Sequence, residues 1–141
     1  MINQQTMFKA VIAAAALALA GCATTGGPNG VTLSGAQEVP MVTSMASGSG
    51  TIVVAADKSV SGSITTKGVD GKAAHIHQGA AGSNGPVVVP LTKTGEGTWS
   101  VPAGTKLTDA QYAAYAAGSM YVNVHSAANP GGEIRGQLAG K

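Results

Sequence analysis

The sequence predicts an all-β fold, an antiparallel sandwich or barrel with one short helix. Three observations carry this. The apolar runs are short and rich in Val and Thr, and 21 of the 141 residues are glycine. Turn residues interrupt the chain at intervals of about ten, which suits some eight short strands packed as a sandwich or barrel. Only one segment has the composition and end signals of a helix.

The chain opens with a segment that does not belong to that fold. Met1–Gly21 has a polar start carrying Lys9 and then an apolar run from Ala10 to Ala20. That run is shorter than the roughly 20 residues a bilayer span needs, and its length and flanks fit a secretory signal. It ends in Leu19-Ala20-Gly21-Cys22, which resembles the lipobox of bacterial lipoproteins. The resemblance implies cleavage after residue 21 and acylation (palmitate or a similar chain) at Cys22. Cys22 is the chain's single cysteine, so no disulfide competes for it. Two or more acyl chains give stable attachment. Ala23, where an aspartate would signal retention, points to the outer membrane, facing the periplasm. Residues 22–30 read as a short flexible tether, and residues 31–141 as one domain.

Strands are expected near Val31–Val39, Gly50–Ala55, Ser59–Thr66, Ala73–His77, Val87–Thr92, Thr98–Val101, Met120–His125 and Glu133–Leu138. "AADKSV" joins the second and third as a hairpin. "LTDAQYAAYAAGS" is the helix, expected over Asp109–Ala117. Thr108 and Gln111 have capping-box spacing, and Gly118 can supply a left-handed end. Tyr112 and Tyr115 then share a face. Trp99 alternates with Val101 and belongs to the core. "NPGG" at 129–132 is a turn joining the last two strands.

Charge excludes some partners. With Lys9 set aside, seven basic side chains face six acidic ones, and no basic run exists. Nucleic acid is therefore not an expected partner. "GAAGSNGP" at 79–86 lacks the lysine and hydroxyl residue of a phosphate loop and reads as a wall beside the histidines.

Those histidines are the main chemical feature. The chain has three: His75 and His77 in "HIH", and His125 in "YVNVHS". On a strand, residues two apart share a face. His75 and His77 therefore project together, with Ala74 and Ile76 on the other side. By the same parity His125 lies with Tyr121 and Asn123, opposite Val122 and Val124. If the two strands are neighbours, three imidazoles converge, leaving coordination positions open as catalytic metal sites do. Imidazole suits copper and zinc better than calcium or magnesium. Glu133 and Arg135 share a face of the last strand. There they could form a surface ion pair worth little, or Glu133 could support an imidazole from behind. Met41, Met45 and Met120 carry soft thioethers, of which only Met120 is near the Tyr121 strand, and packing is their expected role.

"LSGAQEVP" (33–40), "AAHIHQGAAGSNGPVVVPL" (73–91) and "YVNVHSAANPGGEIRGQL" (121–138) resemble the CHRD domain, over about Val31 to Leu138. More distantly, the order His-x-His, Gly-Pro, late Val-His, Gly-rich turn and Arg is similar to the copper-zinc superoxide dismutases. That second resemblance implies a Greek-key β-sandwich. It also implies one copper ion on His75, His77 and His125, with Arg135 as a catalytic residue that guides an anionic substrate. Val87 follows Gly85-Pro86 where those enzymes carry a histidine bridging copper to zinc. The site is thus expected to be mononuclear, with zinc the less favoured occupant. The competing expectation is an adhesion or interaction module, with structural histidines and a protein partner the sequence does not identify.

Overall fold

The computed structural model describes residues 27–141. The leader, Cys22 and the first part of the tether lie outside the described residues. The strands are β1 (Gly30–Ser34), β2 (Ser47–Val54), β3 (Val60–Lys67), β4 (Gly71–Gln78), β5 (Val87–Pro90), β6 (Thr92–Gly95), β7 (Thr98–Ser100), β8 (Met120–Ser126) and β9 (Ile134–Gln137). The helix α1 spans Asp109–Ala116.

All nine strands join one antiparallel sheet in the order β5-β4-β8-β9-β1-β2-β3-β7-β6. Its two edge strands, β5 and β6, are consecutive in the chain and separated only by Leu91. The sheet is therefore rolled back on itself, nearly closed as a barrel. The long connections that bring β7 beside β3, and β8 beside β4, give the Greek-key arrangement.

The inner face of the roll is the core. Ile64, Val122, Val124 and Ile134 have no exposed surface, and Leu33, Ile52, Ile76 and Met120 have almost none. Each such side chain stabilises the fold by about 1.5–3 kcal/mol relative to exposure. The core expected from strand parity is present in full: Ala74, Ile76, Val122, Val124, Ile134 and Leu138 are all buried. Trp99 is buried with them, and Tyr112 and Tyr115 lie together with ring centroids 6.3 Å apart, tilted by 41°.

Two expected strands differ. The first leaves the sheet at Ser34, because Gly35–Gln37 forms a 3-10 turn. A Cβ on Gly35 would lie 2.3 Å from the Val42 carbonyl oxygen, so the close return of the chain requires glycine here. The strand expected over Val87–Thr92 is two strands on opposite edges of the sheet. Buried Leu91 is the pivot: its N–H still donates to the Ala74 carbonyl, while Thr92 pairs with Ser100. That split raises the count from eight to nine. The first strand also begins a residue early, since Gly30 pairs with Thr51.

The helix start follows its sequence signal. Thr108 Oγ1 accepts from the Gln111 N–H at 3.2 Å, and Gln111 Oε1 accepts from the Thr108 N–H at 2.9 Å. Gly118, at φ +74°, turns the chain out of the helix and into β8.

Candidate metal centre

Strands β4 and β8 are paired neighbours, so the parity reading has the geometry it required. Ala73 lies opposite His125, His75 opposite Asn123 and His77 opposite Tyr121. The outer face of this pair therefore carries all three imidazoles, and the inner face is core. One ligand atom from each histidine falls within 4.8 Å of the other two.

The second ring nitrogens are held by carbonyls. His77 Nδ1 donates to the Gly85 carbonyl at 2.9 Å, and His125 Nδ1 donates to that of Pro130 at 2.9 Å. Each bond fixes the neutral tautomer whose Nε2 has no proton. His77 Nε2 is buried and has no hydrogen-bond partner. His75 presents its Nδ1, 3.0 Å from His125 Nε2. With His125 Nδ1 donating to Pro130, His75 Nδ1 is the donor to His125 Nε2, so a cation held by His75 Nδ1, His77 Nε2 and His125 Nε2 would displace one proton. A buried lone pair with no partner is costly. A cation among the three nitrogens removes that cost, so the residues fit a metal ion.

Glu133 does not support an imidazole. Its carboxylate accepts from Ser44 Oγ at 2.8 Å and from Ser126 Oγ, which ties the start of the Gly-rich turn to the 38–46 segment. These bonds, Ser126 first, hold its pKa below the usual carboxylate range. The supporting role falls to the Gly85 and Pro130 carbonyls. Sequence patterns cannot display that, because any residue carries a carbonyl.

Arg135 does not face solvent either. It is 1% exposed, and its hydrogen bonds go to Asn84, Ala80 and Gln137. Its guanidinium lies 3.4 Å over the Tyr121 ring. Tyr121 in turn stacks on His77, with centroids 4.8 Å apart and planes 3° from parallel. The methionines separate as well. Met120 is core, while Met41 and Met45 are exposed.

The 79–86 loop forms the wall expected of it. Gly85 accepts from His77 and donates to Tyr121 Oη at 3.1 Å. A cavity of about 220 Å3 beside Pro130 is lined by Glu38, Val39, Pro40 and the 128–132 turn. Glu38 is buried there, and burial pushes its pKa up against the lowering effects of Asn123 and Arg135. Asn123 Nδ2 reaches Glu38 Oε1 at 3.5 Å. Tyr121 and Asn123 had a visible signal, since both share the parity of His125 in "YVNVHS". Glu38 had none.

Burial, and then repulsion from the other imidazoles, holds the His75 pKa below its usual value. Burial does the same at His77, with the Gly85 bond acting in the opposite sense. In the unfolded chain both titrate at about 6.5. As pH falls through that value the unfolded state takes up protons that the folded state resists, so stability falls. The metal-free protein should therefore have a lower Tm at about pH 6 than at about pH 7.5. Thermal unfolding with a chelator present checks this, and a Tm that rises on acidification contradicts it.

The model of one family, the CHRD domain, matches residues 30–138. No match was found among curated proteins or among solved structures.

Proposed function

The chain belongs to the CHRD domain family, and from that premise we propose that it is a lipid-anchored envelope protein holding a single copper ion on His75, His77 and His125. The ion would serve copper handling or redox chemistry of the superoxide type. The observation that carries this reading is the donor set: three imidazoles with ligand atoms within 4.8 Å, two of them with the other nitrogen already bound to a carbonyl.

The chemistry of the donors favours copper. Divalent affinity at a nitrogen site peaks at Cu(II), and among the described residues no thiolate or carboxylate joins the cluster. Val87 follows Gly85-Pro86, so nothing there bridges to a second metal, and zinc is the less favoured occupant. Bound copper supplies one-electron chemistry. The protein's own part is to keep the three rings neutral, oriented and partly shielded. His77 is 8% exposed while His75 and His125 are more open, so an open side remains for a small ligand or for metal exchange.

Titration of the mature chain should give one copper per chain, with Cu(II) displacing Zn(II). A copper stoichiometry near zero would overturn the reading and leave the interaction-module alternative.

The anchor is part of the same proposal. Among the described residues no helix is long and apolar enough to cross a membrane. Attachment is assigned to acyl chains on Cys22. Cys22→Ser should release the protein from the membrane fraction or block its processing. A variant that still sediments with outer membranes contradicts the anchor.

A further inference from the structure

Arg135 is buried beside the histidine cluster without a salt bridge, and the acid that feels its charge, Glu38, is itself buried with its pKa pushed up by that burial. Arg135 is 1% exposed. Its three hydrogen bonds go to neutral acceptors: Asn84 Oδ1 at 3.4 Å, the Ala80 carbonyl at 3.1 Å and Gln137 Oε1 at 3.3 Å. Among the described residues the ion pairs are Lys58–Asp109 and Lys72–Asp70, both elsewhere. Burying a charge without a counter-ion is costly, so its retention at this place calls for a compensating role.

Strand order shows what that role faces. β8 lies between β4 and β9, so Tyr121 on β8 stands between His77 on β4 and Arg135 on β9. The rings of His77 and Tyr121 are parallel at 4.8 Å, and the guanidinium sits 3.4 Å over the tyrosine. The three side chains form one stack that ends at a proposed ligand. The same group also holds the loop over the site. Arg135 binds Ala80 and Asn84, Gln137 Nε2 donates to the Gly79 carbonyl at 2.9 Å, and Tyr121 Oη accepts from the Gly85 N–H at 3.1 Å. Gly85 is the residue whose carbonyl orients His77.

We propose that Arg135, acting through Tyr121, is a positioning residue that fixes His77 and biases the copper centre toward the reduced ion. This rests on the copper reading. The physical reason is Coulombic. A fixed positive charge one aromatic ring from a ligand, in a water-poor interior, disfavours the doubly charged ion more than the singly charged one. The three nitrogens are neutral, and burial holds Glu38, the acid that Arg135 acts on, toward its uncharged form. The bias is set by the protein and needs no substrate. An arginine buried in this way is not an attractor for external anions.

The test compares Cu(I) and Cu(II) affinities, each by competition with a chromophoric chelator, in wild type, Arg135→Gln, Arg135→Lys and Asn84→Asp. Arg135→Gln removes the charge and should lower the Cu(I):Cu(II) affinity ratio by about tenfold or more, a fall in potential of about 59 mV per tenfold. Arg135→Lys keeps the charge and should restore most of the ratio. Asn84→Asp leaves Arg135 in place and sets a carboxylate against it from the exposed loop. It should lower the ratio in the same direction, and it decides the matter if Arg135→Gln does not fold. An unchanged ratio in Arg135→Gln or in Asn84→Asp overturns the inference, as does an Arg135→Lys ratio no better than that of Arg135→Gln. Wild type that binds no copper overturns the copper reading itself, and this inference with it.

Discussion

Replacing any one of the three histidines by alanine is expected to lower copper affinity by more than about 100-fold, the upper end of what losing an outer-shell partner does. The largest loss is expected at His77. Its Nε2 is buried and otherwise without a partner, its Nδ1 is fixed by Gly85, and its ring is stacked on Tyr121. It is the most preorganised of the three donors. His75 and His125 are less buried, so water can replace part of what they supply. Glu133→Gln is the control. Glu133 lies one residue from β9 but its carboxylate accepts from Ser44 and Ser126, and the variant's affinity should stay within about tenfold of the parent. Competition titration of the four variants measures this. Three histidine variants that bind like wild type would remove the site assignment.

The second large effect is expected from one methyl group. A Cβ on Gly85 would lie 1.6 Å from the Gln78 carbonyl oxygen and 2.7 Å from its carbon. Gln78 cannot retreat. It ends β4, its N–H donates to the Pro86 carbonyl at 3.0 Å, and it follows His77 directly. In Gly85→Ala the loop must swing away, and it takes with it the carbonyl that orients His77 and the N–H that meets Tyr121. The fold should lose roughly 3 kcal/mol or more, in the range of severe single substitutions. Copper affinity should fall with it. Gly131 is the comparison: it sits in the turn beside Pro130, where an added Cβ meets nothing within 4 Å. Gly131→Ala should change stability by about 0.5 kcal/mol or less. Denaturant unfolding of both variants checks the pair, and equal stabilities would contradict the account.

These two effects divide the site into what the sequence displays and what it hides. The histidines were legible because strand parity is strict: in "HIH" and "VNVH" the apolar residues mark the core face, so the imidazoles must take the other. The adjacency of β4 and β8 was not legible from spacing, because pairing between strands far apart in sequence depends on the whole topology. The roles of Gly85 and Pro130 were hidden because they act through backbone carbonyls. Arg135 was legible as a residue belonging with the site but not as a buried one, since nothing in "GGEIRGQ" reveals the Tyr121 ring and the loop that close over it.

The fold shows the same division. The helix was readable residue by residue, because a capping box is a local signal. The core was readable from alternation. The break at Leu91 was not, since "VVVPLT" reads as one apolar run. The chain changes edges there because the rolled sheet has to be crossed, a requirement set by the other strands. Likewise Gly35 reads as an ordinary strand glycine until Val42 is packed against it.

The most direct test of the central claim is pulsed EPR on the mature chain loaded with one equivalent of Cu(II), with histidine labelled by nitrogen-15. The account predicts a single copper species coupled to three histidine imidazoles, reduced to two by His77→Ala. Copper that couples to fewer than three imidazoles in the wild type, or a spectrum left unchanged by His77→Ala, would contradict it.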